Sequence, residues 1–115
     1  MKIVFIDKKT KKVFDSDKEL KRKYGSILAK RIKQRMAELV AAESFQMVSH
    51  LPPPRCHELE GRGHHFSVNV SPNMRLVFCV YGEFVVRDDN GLELLSVKTI
   101  CVEEVRDTHD GKVRR

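Results

Sequence analysis

The sequence predicts an α+β domain in which an N-terminal strand is followed by a two-helix hairpin and then by three to four mostly antiparallel strands. Two observations predict this fold: apolar residues recur at helical spacing between positions 17 and 42, and from position 55 onward their period changes to two. The 115 residues are enough for one hydrophobic core and few for two. We therefore expect a single domain over residues 1–109, with 110–115 as a short basic tail.

The first elements are marked by local signals. The opening segment Lys2–Ile6 is β-branched and aromatic, which is typical of a strand. Residues 7–14 are rich in lysine and show no clear period, so no element is expected there. Ser16 and Glu19 fit a capping box, in which each residue satisfies a backbone amide of the other, and this predicts a helix over Asp17–Tyr24.

A second, longer helix should begin with Ser26 as its cap, after Gly25 has ended the first, and should stop near Ala41. The two helices together form the expected hairpin, which lies on one face of the sheet. An apolar stripe runs along the second helix and is typical of core packing. Its members are Leu28, Ile32, Met36, Leu39 and Val40, with Ile27 beside them.

Four strands are expected in the second half of the chain. They are Cys56–Leu59, Phe66–Val70, Met74–Tyr81 and Ser96–Val105. The sequence Ser71-Pro72-Asn73 has the composition of a turn, so it should join the second and third of these strands as a hairpin. Residues 87–91 are polar and predict a loop.

Composition excludes several classes of protein. Charges interrupt every apolar stretch before it reaches the ~18–20 residues that a membrane span needs, and the N-terminus lacks the apolar region of a signal peptide. Three cysteines do not make a disulfide framework. We expect a soluble, cytoplasmic protein. No glycine-rich phosphate loop, CxxC pair or HExxH motif is present, and no cofactor is expected.

No metal site is expected either. Cys56, His57, His64 and His65 are the residue types that bind zinc, but Cys56 and His57 are adjacent in an extended segment and should point to opposite faces. Cys79 and Cys101 lie on expected strands and are interpreted as core residues, because free cysteines usually behave as small buried hydrophobes. Nothing marks any of the three cysteines as a nucleophile.

The charge is unevenly distributed along the chain. Residues 1–40 carry 13 Lys or Arg against 5 Asp or Glu, a net of +8, whereas residues 41–115 carry 9 against 11, a net of −2. A basic segment of this kind favours a polyanion or an acidic protein as partner. The alternative interpretation is a lysine-rich helix face that is merely solvated.

A possible catalytic group follows from the polar residues at the strand ends. Arg75 lies in an otherwise apolar strand, His57 lies in the first short strand, and Asp107 and His109 follow the last strand. If the strands are neighbours, these four side chains can meet on one surface. Histidines can take the proton from a ribose 2′-OH and return one to the departing 5′ oxygen, while arginine stabilises charge on the phosphate. Such a group would cleave RNA without a metal.

The chain also resembles a known family. Its segments MKIVFIDKK, KRKYGSILAKRI, LPPPRCHELEGRGHHFSVNV, PNMRLVF and VEEVRDTH are similar, in this order and spacing, to those of HigB-type toxins of the RelE/ParE superfamily, the plasmid-maintenance killer proteins. The similarity runs from Met1 to His109. It implies the RelE-like fold, two helices on an antiparallel sheet, and a toxin of a type II toxin–antitoxin pair.

The resemblance also implies a ribosome-dependent endoribonuclease that cleaves messenger RNA, with a HigA-like helix-turn-helix antitoxin as its partner. By position, His57 matches the strand histidine of the family, Arg75 the arginine that contacts phosphate, and Asp107 and His109 the C-terminal acid and histidine. The basic residues that would contact the ribosome or RNA, largely on the helical hairpin, are Lys21, Arg22, Lys30, Lys33, Arg35 and Arg62.

Two departures from the family pattern leave alternatives open. Thr108 stands where the family has tyrosine, and Glu60 stands where it usually has lysine, a charge that Arg62 can supply instead. One alternative is a ParE-like inhibitor of DNA gyrase, which would not need the His57/His109 pair. The other is a catalytically decayed toxin that acts only in an antitoxin or repressor complex.

Overall fold

The computed structural model describes residues 1–49, 56–58, 64–89 and 91–107, with Ser49 and His57 described by their backbone alone. The helices are α1 (Lys8–Phe14), α2 (Asp17–Tyr24), α3 (Ser26–Ala41) and α4 (Phe45–Ser49). The strands are β1 (Lys2–Phe5), β2 (His57–Glu58), β3 (His65–Asn69), β4 (Met74–Tyr81) and β5 (Thr99–Asp107), with a 3₁₀ turn over Leu94–Ser96. None of the described helices is long and apolar enough to cross a membrane.

The N-terminal helices begin at side-chain caps. Ser16 Oγ accepts a hydrogen bond from the Glu19 amide at 3.2 Å, so α2 starts where the sequence predicts. The reciprocal half of the box is replaced, because the Glu19 carboxylate lies 3.3 Å from Arg22 Nη2 and the Ser16 amide donates to the carbonyl of Val13. Helix α1 was not expected; Asp7 caps it by accepting from the Thr10 amide at 2.7 Å.

The start and the outer face of α3 differ from the expectation. Gly25 is its N-cap, with φ at +82°, and no side chain caps this helix; Ser26 is its first residue. Glycine suits this position because the left-handed region is strained for other residues. Ile32 and Leu39 are buried as predicted, but Val40 is 56% and Ile27 76% exposed, so the stripe is narrower than its sequence pattern suggests.

The sheet has five strands in the order β1-β5-β4-β3-β2. Strands β2 to β5 pair antiparallel, as expected, whereas β1 lies parallel to β5. The parallel pair is possible because helices α1 to α4 and strands β2 to β4 all lie between β1 and β5 in the chain and supply the long connection that two parallel strands require. The last strand begins at Thr99 rather than Ser96, and it includes Asp107, which was expected to follow it.

One face of the sheet, the helix face, carries the hydrophobic core. Helix α4, which the sequence analysis missed, places Phe45 at the centre of this core with no exposed surface. Its ring packs edge-on against Phe66 of β3 at 4.6 Å and against Phe78 of β4 at 5.9 Å between centroids. The Phe45 amide also donates to the Val97 carbonyl at 3.1 Å, which ties α4 to the segment before β5.

Side chains on the opposite face, the second face, come from alternate positions of the same strands. On β4 they are Arg75, Val77, Cys79 and Tyr81, with their register partners on β3 and β5. The β4–β5 register shifts between Val77 and Phe78, because Val77 lies opposite Glu104 and Phe78 opposite Val102. Glu103 is therefore the extra residue of a β-bulge.

Replacing Phe45 with alanine should lower the free energy of unfolding by about 3–5 kcal/mol, because the change leaves a cavity against the rings of Phe66 and Phe78. Urea denaturation of the full chain measures this loss. Ile27→Ala, on the exposed side of α3, is the control and should change the free energy of unfolding by less than about 0.5 kcal/mol. Equal effects of the two substitutions would contradict the assignment of Phe45 to the core.

Candidate functional site

Arg75 is the best-defined of the predicted site residues. It lies on the second face near the start of β4, partly buried, and its Nη1 atom is 3.4 Å from Ser67 Oγ. Ser67 is fully buried, and so is Val77 beside it, so the centre of the second face is a packed layer. A guanidinium anchored at the margin of such a layer is held in place while part of it stays accessible to a ligand.

A second arginine lies directly opposite Arg75. The register pairs Arg75 with Arg106 of β5, and paired residues share a face of the sheet. Glu104 accepts a hydrogen bond from Arg106 Nη2 at 2.9 Å, which offsets one of the two charges. Like charges directly across two strands destabilise a sheet, and an anion bound between them reverses that effect. Arg106 was not predicted from the sequence as a site residue, because its position opposite Arg75 depends on the bulge at Glu103.

The register also locates the predicted histidine of β2. His57 pairs with Ser67 of β3, and Ser67 pairs in turn with Val77 of β4. Position 57 therefore lies two strands away from β4, the strand of Arg75. It is the register partner of Ser67, whose hydroxyl Arg75 contacts. His109, Thr108, Glu60 and Arg62 lie outside the described residues, as does the tail 110–115.

Asp107 does not share a surface with Arg75, contrary to the expectation. It pairs with Met74, whereas its neighbour Arg106 pairs with Arg75. Because successive residues of a strand point to opposite faces, Asp107 projects to the face of Met74, which packs against the helix-face core. Of the four predicted residues, Arg75 and Asp107 therefore lie on opposite faces of the sheet.

The basic residues of the helical hairpin fall into two groups. Lys21, Arg22, Lys30 and Lys33 are all exposed. Lys33 Nζ lies 2.5 Å from Asp17 Oδ1 and joins α3 to the start of α2, and its ammonium lowers the pKa of that carboxyl. Arg22 pairs with Glu19 within α2. These exposed pairs contribute little to stability, so Lys33 and Arg22 can exchange a carboxylate for a phosphate at small cost.

Arg35 has a structural position that differs from its predicted role. Its Nε donates to the carbonyl of Asn69 at 2.8 Å, and its Nη1 lies 3.0 Å from both carboxylate oxygens of Glu38. The side chain is only 19% exposed. Arg35 therefore joins α3 to the end of β3, and it is not available to a ligand in the way that Lys30 is.

The pKa values of all three cysteine thiols are raised. Burial, and then the charge of Glu58, raises the pKa of the Cys56 thiol to about 12. Burial, and then the neighbouring Cys101 and Glu103, raises the pKa of Cys79 to about 11. Burial likewise raises the pKa of Cys101. Cys79 and Cys101 pack on the second face, opposite each other in register, rather than in the helix-face core.

A cavity of about 480 Å³ lies beside the start of β3. Its lining includes Glu58, His64, Arg87, Asp89 and Glu93. Its described lining carries three carboxylates against one arginine, and Arg75 is not part of it, so it does not offer a positive field to a phosphate. We assign the candidate site to the second face.

Comparison with known proteins identifies the fold. No protein-family model matches the chain, and no curated protein matches its sequence. A solved structure, that of a YoeB/ParE toxin from Agrobacterium tumefaciens, superposes with a TM-score of 0.57 at 14% identity, over 93% of this chain and 98% of that one. The two chains therefore share a fold, which confirms the α+β architecture expected from the sequence.

The raised thiol pKa values predict slow alkylation of the folded protein. At pH 8.5, iodoacetamide should modify Cys56 and Cys79 at least about 100-fold more slowly than in the urea-unfolded chain, because each pKa unit lowers the thiolate fraction about tenfold. Peptide mapping by mass spectrometry assigns the rates to individual cysteines. Modification of either residue at the unfolded rate would show that its thiol is neither buried nor shifted in pKa.

Proposed function

We propose that the chain is the toxin of a type II toxin–antitoxin pair and that it cleaves messenger RNA on the translating ribosome. The observation that carries this proposal is the opposition of Arg75 and Arg106 on the second face. Two partly buried arginines at directly opposite positions of neighbouring strands are suited to the oxygens of a phosphodiester. The shared fold with a YoeB/ParE toxin and the sequence resemblance to HigB-type toxins both support the toxin role.

The proposed chemistry needs no metal. The ribose 2′-oxygen attacks the adjacent phosphorus while a general base takes its proton; the bond from phosphorus to the 5′ oxygen breaks, and a general acid protonates that oxygen. The products are a 2′,3′-cyclic phosphate and a 5′-hydroxyl. Arg75 and Arg106 would stabilise the charge that develops on the phosphate oxygens. We assign the acid and base roles to His57 and His109, without distinguishing them.

Asp107 takes no direct step in this proposal. The pleat sends it to the face opposite Arg75, so its carboxylate cannot contact a phosphate held by the two arginines. Its family counterpart belongs to the C-terminal ending of the toxin, and in this chain we place it at the end of β5 as part of the frame that carries the following residues.

The partners follow from the same proposal. The exposed lysines of α2 and α3 would contact ribosomal RNA, and Arg62 is a further basic residue proposed to bind it. A HigA-like helix-turn-helix antitoxin would neutralise the toxin, and both would act in the cytoplasm. Arg35 is left out of the RNA-contacting set because of its bonds to Asn69 and Glu38.

Arg75→Gln should lower cleavage of ribosome-bound messenger RNA by about 10²–10³-fold, because one donor to the phosphate is lost. His109→Ala should likewise abolish growth arrest. The measurement is induction in bacteria with mapping of new 5′ ends on translated transcripts. Arg87→Gln, an exposed arginine in the polar loop, is the matched control and should cleave like the wild type.

The wild-type chain discriminates between the functions. New cuts within codons support the nuclease. DNA breaks without new 5′ ends would instead indicate gyrase poisoning, and a chain that neither cuts nor arrests growth would indicate a binding role alone. Full toxicity of a folded Arg75→Gln or His109→Ala protein would overturn the assigned site.

The basic surface is tested separately from the chemistry. Reversing Lys21 and Lys30 to glutamate should weaken co-sedimentation with ribosomes. The variant neutralises fewer phosphates and so releases fewer counterions than the wild type, and its binding should depend less on salt. The difference between the two proteins should therefore shrink as the salt concentration rises. The matched control reverses Lys8 and Lys12 of α1, which are also exposed. Equal effects of the two double reversals would mean that net charge, rather than the hairpin surface, controls binding.

A further inference from the structure

A second group of side chains on the second face has the composition of a transition-metal site. His65 Nε2, the Cys79 sulfur and a carboxylate oxygen of Glu103 all lie within 4.8 Å of one another. The three residues are partly buried; the side chain of His65 is 25% exposed and that of Glu103 11%. The group is therefore partly shielded from solvent without being sealed from it.

The strand register brings these donors together. His65 of β3 lies directly opposite Cys79 of β4, and Cys79 lies directly opposite Cys101 of β5. Directly opposite residues have Cβ atoms about 4.5–5.5 Å apart, so the row carries one imidazole and two thiols at nearly constant spacing. The thiol of Cys79 also interacts with both Cys101 and Glu103.

The bulge supplies the carboxylate. Val77 pairs with Glu104 and Phe78 with Val102, so Glu103 lies outside the regular alternation, and its Oε2 atom lies 3.0 Å from His65 Nε2. Bulges commonly re-aim a side chain in this way next to a functional site. Without Glu103, β5 would present only one acid, Glu104, on the second face beside Val77.

The spacing fits a tetrahedral ion. Zinc bonds of about 2.0–2.3 Å to nitrogen, oxygen and sulfur place neighbouring ligand atoms about 3.3–3.8 Å apart. The 3.0 Å separation of His65 and Glu103 is slightly shorter than this, and the 4.8 Å within which the three donor atoms lie is at least 1 Å longer, so the Cys79 and Glu103 side chains have to rotate toward each other to hold one ion. A mixed set of imidazole, thiolate and carboxylate donors selects zinc-class ions over Mg²⁺ or Ca²⁺.

The geometry points to a binding site for a zinc-class divalent ion at His65, Cys79 and Glu103, with the fourth position open to water or to the Cys101 thiol. Such an ion would join β3, β4 and β5 at the bulge. It would thereby fix the register that sets Arg106 opposite Arg75. This inference does not depend on the proposed nuclease, because the site and its test concern the ion alone.

The test is titration of the full-length, metal-stripped and reduced protein with Co²⁺, followed by displacement with Zn²⁺. We expect a thiolate-to-cobalt charge-transfer band, visible bands of a tetrahedral ion, and a higher melting temperature with Zn²⁺. Cys79→Ser and Glu103→Gln should each weaken binding by about 100-fold or more, beyond the usual loss for an outer-shell partner. Cys56→Ser, a matched thiol outside the group, should bind like the wild type.

Two results would overturn the inference. One is the absence of a charge-transfer band and of a zinc-dependent rise in melting temperature in the wild type. The other is unchanged affinity in Cys79→Ser and Glu103→Gln, or a loss of binding in Cys56→Ser. If Cys79→Ser fails to fold, His65→Gln, which alters a partly exposed side chain, replaces it and should lose the same binding. Toxicity assays play no part in this test, so its failure leaves the proposed nuclease function untouched.

Discussion

The pairing of β4 with β5 is the constraint on which the rest of the structure depends. These are the two longest strands, and between them they give one face to the core and the other to the candidate site. Their register changes once, at the bulge opposite Val77 and Phe78. On the far side of the bulge, a slip of one residue would exchange the faces of Arg106 and Asp107. The polar chemistry of the second face is therefore set by backbone pairing.

The helix face holds that pairing in place. Phe78 of β4 packs against Phe45 of α4 and Phe66 of β3, and Ile100 and Val102 of β5 are fully buried in the same core. Arg35 adds a polar link from α3 to the end of β3. The core and the second face both use residues of β4 and β5. A loss of packing on the helix face would therefore also disturb Arg75 and Arg106 on the second face. Core stability and the geometry of the site are thus coupled through β4.

Elements that depend on neighbouring residues could be predicted from the sequence, whereas contacts between residues far apart in the chain could not. Ser16 and the apolar stripe of α3 act within a few residues, so α2 and most of α3 were found. Helix α1 was missed because its cap, Asp7, is followed by neither a glutamate nor an apolar period. Arg35 resembled a surface cation because its acceptor, the Asn69 carbonyl, is 34 residues away.

The candidate site was likewise predictable only where it depends on residues that are close together in the sequence. The sequence identified Arg75 because a charge in an apolar strand is conspicuous, and the register then placed position 57 in line with its Ser67 partner. Arg106 and the row from His65 to Glu103 depend on how three strands align and on one extra residue in β5. Asp107 was placed on the wrong face for the same reason. A period of two gives alternation within a strand, but it does not give the register between strands.

The central claim is that RNA lies across the second face of the sheet at the start of β4. Ultraviolet cross-linking of messenger RNA in translating ribosomes to the cleavage-defective Arg75→Gln protein, with mass-spectrometric mapping of the nucleotide-bearing peptides, tests it most directly. Cross-links should fall on peptides from β3 and β4 and on the end of β5. Cross-links confined to α1 or to the polar loop at 87–89 would contradict the account.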